Sequence, residues 1–302
     1  MKLSAVFIGA FLAAPLVDAT VGIQWYFPSA TDFLDEVTFP MSIANAPRQE
    51  GYYFAQQFFF DGIRQGGYMG LQPRYDDWNG DKVLHAAFSS FQGGTTTTHR
   101  NCHDTADGGP GVSCAIDIDG AYVNTYNLTI KGLGRRTWQG LLIDTVTGRS
   151  HEIGVWTLPA GAGNLQTSGP GFVEYYPWNS PKDPDCTKAP RTEVTFFDPQ
   201  SPNTSPAKID PPYDYGDCLG QEDFRAVKVA DGYTIHYGTA ASSGTTQASS
   251  IHAAAKPSTS SSVNKQTVQE PFVFPDDETT DSKLSPQELT DLLFFGKPDS
   301  KE

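Results

Sequence analysis

Basic residues are scarce in this chain: 21 Lys and Arg stand against 35 Asp and Glu, giving a formal net charge of -14. That scarcity argues against nucleic acid and anionic membrane surfaces as partners, because both need clustered cations. Long apolar runs are missing beyond residue 17. No segment reaches the roughly 20 apolar residues that a membrane-spanning helix requires. Cysteine is limited to four residues with no close Cys-x-x-Cys pair, so the usual zinc spacing is absent. Neither a Gly-x-Ser-x-Gly elbow nor a His-Glu-x-x-His helix occurs. No long stretch of helical period interrupts residues 21–238.

What the chain does contain begins with an export signal. Lys2 supplies a positive start, residues 4–17 an apolar stretch, and Val17-Asp18-Ala19 a small-residue cleavage site. A signal peptide over 1–19 predicts a secreted, extracellular protein. Four cysteines then predict two disulfides among Cys102, Cys114, Cys186 and Cys218, and proximity favours Cys102 with Cys114 and Cys186 with Cys218. Oxidised cysteines leave no thiol nucleophile. Asn127-Leu-Thr and Asn203-Thr-Ser are glycosylation sequons, which expect solvent-facing asparagines.

Residues 20–238 are rich in aromatics, Gly, Thr and Val, with frequent turn signals. This pattern predicts an all-β domain, an antiparallel sandwich or jelly roll of concanavalin-like type. Strands are expected at 22–27, 51–60, 66–72, 82–91, 113–118, 125–131, 137–145, 150–158, 171–176, 192–197, 224–229 and 232–237. Thr147-Gly148 and Asp231-Gly232 read as hairpin turns. Residues 239–284 turn to Ser, Thr, Ala, Gln and Asp, a linker that cannot bury a core. Ser285-Pro286-Gln287-Glu288 is a capping box, and Gly296 a stop, for a short amphipathic helix over 285–296 followed by a tail at 297–302. Leu289, Leu292, Leu293 and Phe295 would be its apolar face, available to a protein partner.

The chemistry-bearing residues concentrate in 51–91. Strand alternation puts Tyr53 and Gln57 on one face, Tyr68 and Gln72 on the next strand's equivalent face, and His85 and Ser89 on a third. With Arg74 and Trp178 these residues would line a polar surface suited to a glycan, where rings stack on sugar CH groups and amides bind hydroxyls. The alternative within the same residues is hydrolysis or elimination of a polysaccharide, with Glu174 or His85 as the acid or base. Glu174 stands alone as a carboxylate among Phe172, Val173, Tyr175 and Tyr176. Asp104 and Asp107 sit in a Gly-rich segment between two cysteines and could contribute to a Ca²⁺ site, although no EF-hand spacing is present. That segment, 101–114, is expected as an irregular stapled loop.

Gly66-Gly-Tyr-Met-Gly-Leu-Gln72, then Val83-Leu-His-Ala-Ala-Phe88-Ser89, then Gly-Val-Ser-Cys114 resemble the secreted DUF3472-type proteins over roughly residues 51–178. The resemblance implies export and a β-rich, carbohydrate-associated extracellular protein. It assigns no catalytic residue.

Overall fold

The computed structural model describes residues 19–30, 33–179, 185–221 and 223–239. The chain divides into units of residues 1–244 and 245–302, and the described residues all belong to the first. The predicted leader (apart from Ala19), the linker beyond Thr239, and the terminal helix and tail lie outside them.

In chain order the strands are β1 (Ala19–Tyr26), β2 (Glu36–Ser42), β3 (Tyr52–Phe58), β4 (Gly67–Pro73), β5 (Val83–Ser90), β6 (Cys102–Ala106), β7 (Gly109–Asp119) and β8 (Thr125–Gly134). There follow β9 (Thr137–Asp144), β10 (Ser150–Thr157), β11 (Ser168–Tyr175), β12 (Thr192–Phe197), β13 (Lys208–Ile209), β14 (Tyr213–Asp214), β15 (Arg225–Val229) and β16 (Gly232–Tyr237). They form two antiparallel sheets. The nine-stranded one runs β13-β1-β11-β3-β4-β5-β7-β6, with β14 also on β1; the seven-stranded one runs β10-β9-β8-β2-β12-β16-β15. This is the antiparallel β-sandwich expected from the alternation.

The core lies between the sheets and is aromatic. Phe88 stacks on Trp156 at 4.7 Å, Phe60 meets Trp138 at 4.9 Å, and Trp25 meets Phe39 at 5.3 Å. Tyr52, Phe54, Met69, Leu71 and Leu84 are fully enclosed on the inner face of the nine-stranded sheet. Glycines let the sheets close on these bulky groups. A Cβ on Gly140 would sit 2.5 Å from the Phe88 ring, and one on Gly154 would sit 2.5 Å from both sulfurs of the Cys102–Cys114 disulfide.

Three elements differ from the sequence reading. Residues 36–42 are not among the expected strands, and Pro40 within them cannot donate to a ladder. β2 nonetheless pairs with β8 along its whole length. On its other side Thr38 bonds to Gln200 and Ser42 pairs with Thr195, so Pro40 faces the irregular stretch between those two anchor points. The stapled 101–114 segment is a hairpin, not an irregular loop: Cys102 lies directly across from Cys114 in the β6–β7 ladder. Left-handed backbone at Thr105, Asp107 and Gly108 turns its tip, which is where the Asp and Gly composition suggested disorder of the ladder. Finally, Val229 pairs with Gly232, so Ala230 and Asp231 make the two-residue connection and Gly232 opens β16.

Candidate functional site on the outer face of the nine-stranded sheet

Register sorts the outer face into three rows. The middle one is nearly bare: Phe172, Ala55, Gly70, Ala87 and Ala115 lie side by side on β11, β3, β4, β5 and β7. One flank carries Gln57, Tyr68, Ser89 and Ser113. The other carries Glu174 beside Tyr53, and Gln72 beside His85 and Asp117. The bare row explains how two tyrosines fit. Tyr53 lies over Gly70, where a Cβ would stand 2.8 Å from its ring. The Tyr53 ring then meets Tyr68 at 5.0 Å and Phe172 at 5.6 Å, both edge-on.

These rings, with Ala19, Ala55 and Ala87, form a second small apolar cluster separate from the inter-sheet core, and Phe91, Tyr176 and Tyr215 pack around it. Carboxylates enter this cluster from two directions. Glu174 is buried on β11. Asp107 reaches in from the β6–β7 tip and accepts the Tyr68 hydroxyl at 2.9 and 3.0 Å. Burial pushes the Tyr68 phenol well up, and the charges of Asp107 and Glu174 push it the same way. Tyr53 is raised for the same reasons, and its hydroxyl is enclosed without a hydrogen-bond partner. Burial of its carboxylate raises Asp107, while the Tyr68 hydrogen bond opposes that rise.

The sheet opens toward the β4–β5 connection. Arg74 donates to the Gln72 side-chain oxygen at 2.8 Å, and His85 bonds Asp117 at 2.7 Å. Desolvation and the Arg74 charge lower the His85 pKa against the upward pull of Asp117 and Glu50. Past Arg74 the chain is held by Arg48–Asp76 at 2.6 Å and by an Asp77 carboxylate that accepts the Asn79 and Asp81 amides. This braced loop shows its aromatics to solvent: Tyr75 is 61% and Trp78 93% exposed.

The structure therefore brings Tyr53, Gln57, Tyr68, Gln72, Arg74, His85, Ser89 and Glu174 to one face. Their access differs: Tyr53, Gln57, Ser89 and Glu174 are enclosed, whereas Gln72, Arg74 and His85 are partly open. Ser89 shares a 2.8 Å hydrogen bond with Ser113. Trp178 does not belong to the face. It sits in the inter-sheet core, edge-on to Tyr175 at 5.1 Å, because the chain leaves β11 through a short 3-10 turn at Tyr176–Asn179. Asp104 is exposed, and among the described residues no group of three or more His, Cys, Asp or Glu is placed to hold a metal ion. Asn203 is exposed and Asn127 half-buried on β8. Asp107 and Asp117 were missed as members of the face. Asp117 could have been found from the 113–118 strand, since its alternation matches that of His85.

His85 makes the face pH-sensitive in a defined direction. A histidine whose folded pKa is lowered from 6.5 binds fewer protons when folded than when unfolded. Its stabilisation is complete above 6.5 and is lost as pH falls through the lower folded value. His85→Gln is expected to flatten the decline of the melting temperature between neutral and mildly acidic pH; calorimetry of both proteins across that range checks it.

Both cysteine pairs are bonded, the state that oxidising compartments favour. No family model matches the chain, and no curated protein matches it. Among solved structures, scytalido-glutamic peptidase in complex with a transition state analog inhibitor aligns with 74% of this chain and 98% of its own at 14% identity and a TM-score of 0.40. SCP-B, a member of the eqolisin family of peptidases in complex with a tripeptide, aligns over the same shares at 12% identity and 0.36. At such identities and scores, chemistry does not transfer.

Proposed function

We propose that this is a secreted polysaccharide-binding protein whose ligand lies on the outer face of the nine-stranded sheet, entering over Tyr75 and Trp78. The observation that carries this reading is Trp78, 93% exposed on a loop braced by an ion pair and an Asx turn. A large ring held in water by a rigid loop keeps its apolar area for a partner. β4, which leads into this loop, and its neighbours β5 and β7 carry Gln72, His85 and Asp117 side by side, with Arg74 bonded to Gln72, a mixture of donors and acceptors with the spacing of neighbouring strands. Sugar hydroxyls fit such groups, and sugar CH faces stack on rings. The likeness to DUF3472-type proteins over 51–178 supports the same reading, and the two bonded cysteine pairs suit an extracellular setting.

Replacing both Tyr75 and Trp78 by alanine is expected to weaken binding by at least about tenfold, since each stacked ring contributes on the order of 1 kcal/mol beyond its area. Both side chains are exposed, so the fold should survive. Depletion from solution by insoluble cell-wall polysaccharides reads the effect. Equal retention of the variant and the parent would sink the proposal.

A second reading, cleavage of the bound chain, is favoured by the two carboxylates at the buried end. Glu174 and Asp107 both act on Tyr68, and their environments differ, one enclosed and the other at a solvent-facing tip. Carboxylates in unlike environments are what acid and base roles need. New reducing ends or unsaturated products in the polysaccharide incubations above would select it.

A further inference from the structure

The seven-stranded sheet carries its own polar cleft, at the end of β12, β16 and β15 farthest from the hairpin turn at Ala230 and Asp231. Glu193, His236 and Arg225 stand in one row across the three strands. Arg191 and Asp223, two residues earlier on their segments, extend the same side, and Asn45 closes it. The space between them is about 330 Å³, within the size range of small-molecule sites. Gly238 gives it a backbone floor: its φ is +90°, and a Cβ there would meet the Pro190 carbonyl at 2.3 Å.

The polar groups in this cleft are unequally committed. Glu193 accepts from Asn45 at 2.7 Å and pairs with His236 at 3.2 Å. The side chains of Arg225 and Asp223, by contrast, make no hydrogen bond or ion pair with any described residue, although both line the cleft.

We infer that this cleft binds a small hydroxylated carboxylate, a sugar acid in chemical class. The carboxylate would take the planar guanidinium of Arg225 in the two-point geometry that arginine offers. Hydroxyls would be received by Asp223 and Glu193. A neutral sugar leaves the guanidinium unanswered. A simple anion leaves Asp223 and Glu193 facing it without hydroxyls between.

Titration calorimetry with sodium glucuronate, glucose and sodium acetate tests this on the full chain. Glucuronate is expected to bind at least about tenfold tighter than either of the others, the difference that one charge-assisted pair supports. Arg225→Ala, at an exposed site, should weaken glucuronate by a similar factor at an unchanged melting temperature. The Tyr75 and Trp78 variant should bind glucuronate as the parent does, which separates this site from the polysaccharide face. Absence of glucuronate binding at about 10 mM, well above the weakest useful affinities, overturns the inference. So does equal binding of glucose, or an Arg225→Ala protein that binds as before.

Discussion

Truncating Phe88 to alanine is expected to destabilise the domain by about 3–5 kcal/mol, the range for a large aromatic removed from a closed core. In a domain of this size that lowers the melting temperature by roughly 6–20 °C. The cost should fall at the high end because the rings that flank Phe88, Trp156 and Phe58, are themselves enclosed. Phe88 is fully enclosed, stacked on Trp156 at 4.7 Å, near Phe58 at 6.0 Å, and pressed on the backbone of Gly140. The last contact supplies an internal control. Gly140→Ala drives a Cβ to 2.5 Å from the Phe88 ring in the parent, so alone it should destabilise by overpacking. Against the Phe88→Ala background the same methyl enters the vacated space. The double variant should therefore be more stable than the sum of the single losses predicts, by an interaction energy on the order of 1 kcal/mol or more. Strict additivity in calorimetry would mean that the two sheets do not meet as described.

Removing the Cys186–Cys218 disulfide by a double alanine substitution carries the second large effect. Its ends are 32 residues apart. Chain-entropy arithmetic for a loop of that length gives about 3.7 kcal/mol, against about 2.8 kcal/mol for the 12-residue separation of Cys102–Cys114. Both Cys186 and Cys218 are buried, so lost packing adds to the entropy. The bond also holds a region that other contacts depend on. Beyond the 3-10 turn at Cys186–Lys188, the Pro190 carbonyl accepts the Tyr52 hydroxyl at 2.7 Å and the Ala189 carbonyl accepts the Thr239 amide. Guanidinium unfolding should show a midpoint drop larger than that of the Cys102→Ala, Cys114→Ala protein. The reverse order would assign more weight to the packing of the shorter bridge on Gly154 than to loop closure.

Much of this arrangement was legible in the chain. Period-two alternation placed Tyr53, Gln57, Tyr68, Gln72, His85 and Ser89 on a common face because side chains in a strand have only two directions to choose between. Export context and spacing pointed to the correct cysteine pairing. What could not be read depended on register or on exposure. Residues 36–42 read poorly because a proline in a central strand is tolerated only where the neighbouring ladder is interrupted, and that interruption belongs to residues 197–199, far away in sequence. The pairing of His85 with Asp117 needed the β5–β7 register. Tyr75 and Trp78 carry the same letters as core aromatics, and composition cannot tell a ring held in water from one enclosed. Trp178 failed in the opposite sense, appearing as a surface platform when it fills the core.

The position of β1 has a consequence for how the molecule is made. This first strand is almost wholly buried, yet its partners are β11, β13 and β14: Ala19 lies against Glu174, and Trp25 against Ile209. A chain delivered from its amino end presents those eight residues long before any of the three partners exists. At synthesis rates of 5–20 residues per second, the interval before Glu174 appears is about 10–30 s. Throughout it an apolar strand with both edges open waits in solution, the state most prone to pairing with a neighbour. Biogenesis of this protein thus turns on a late event, the return of its second half to the first strand, and whatever shields β1 in the meantime sets the yield.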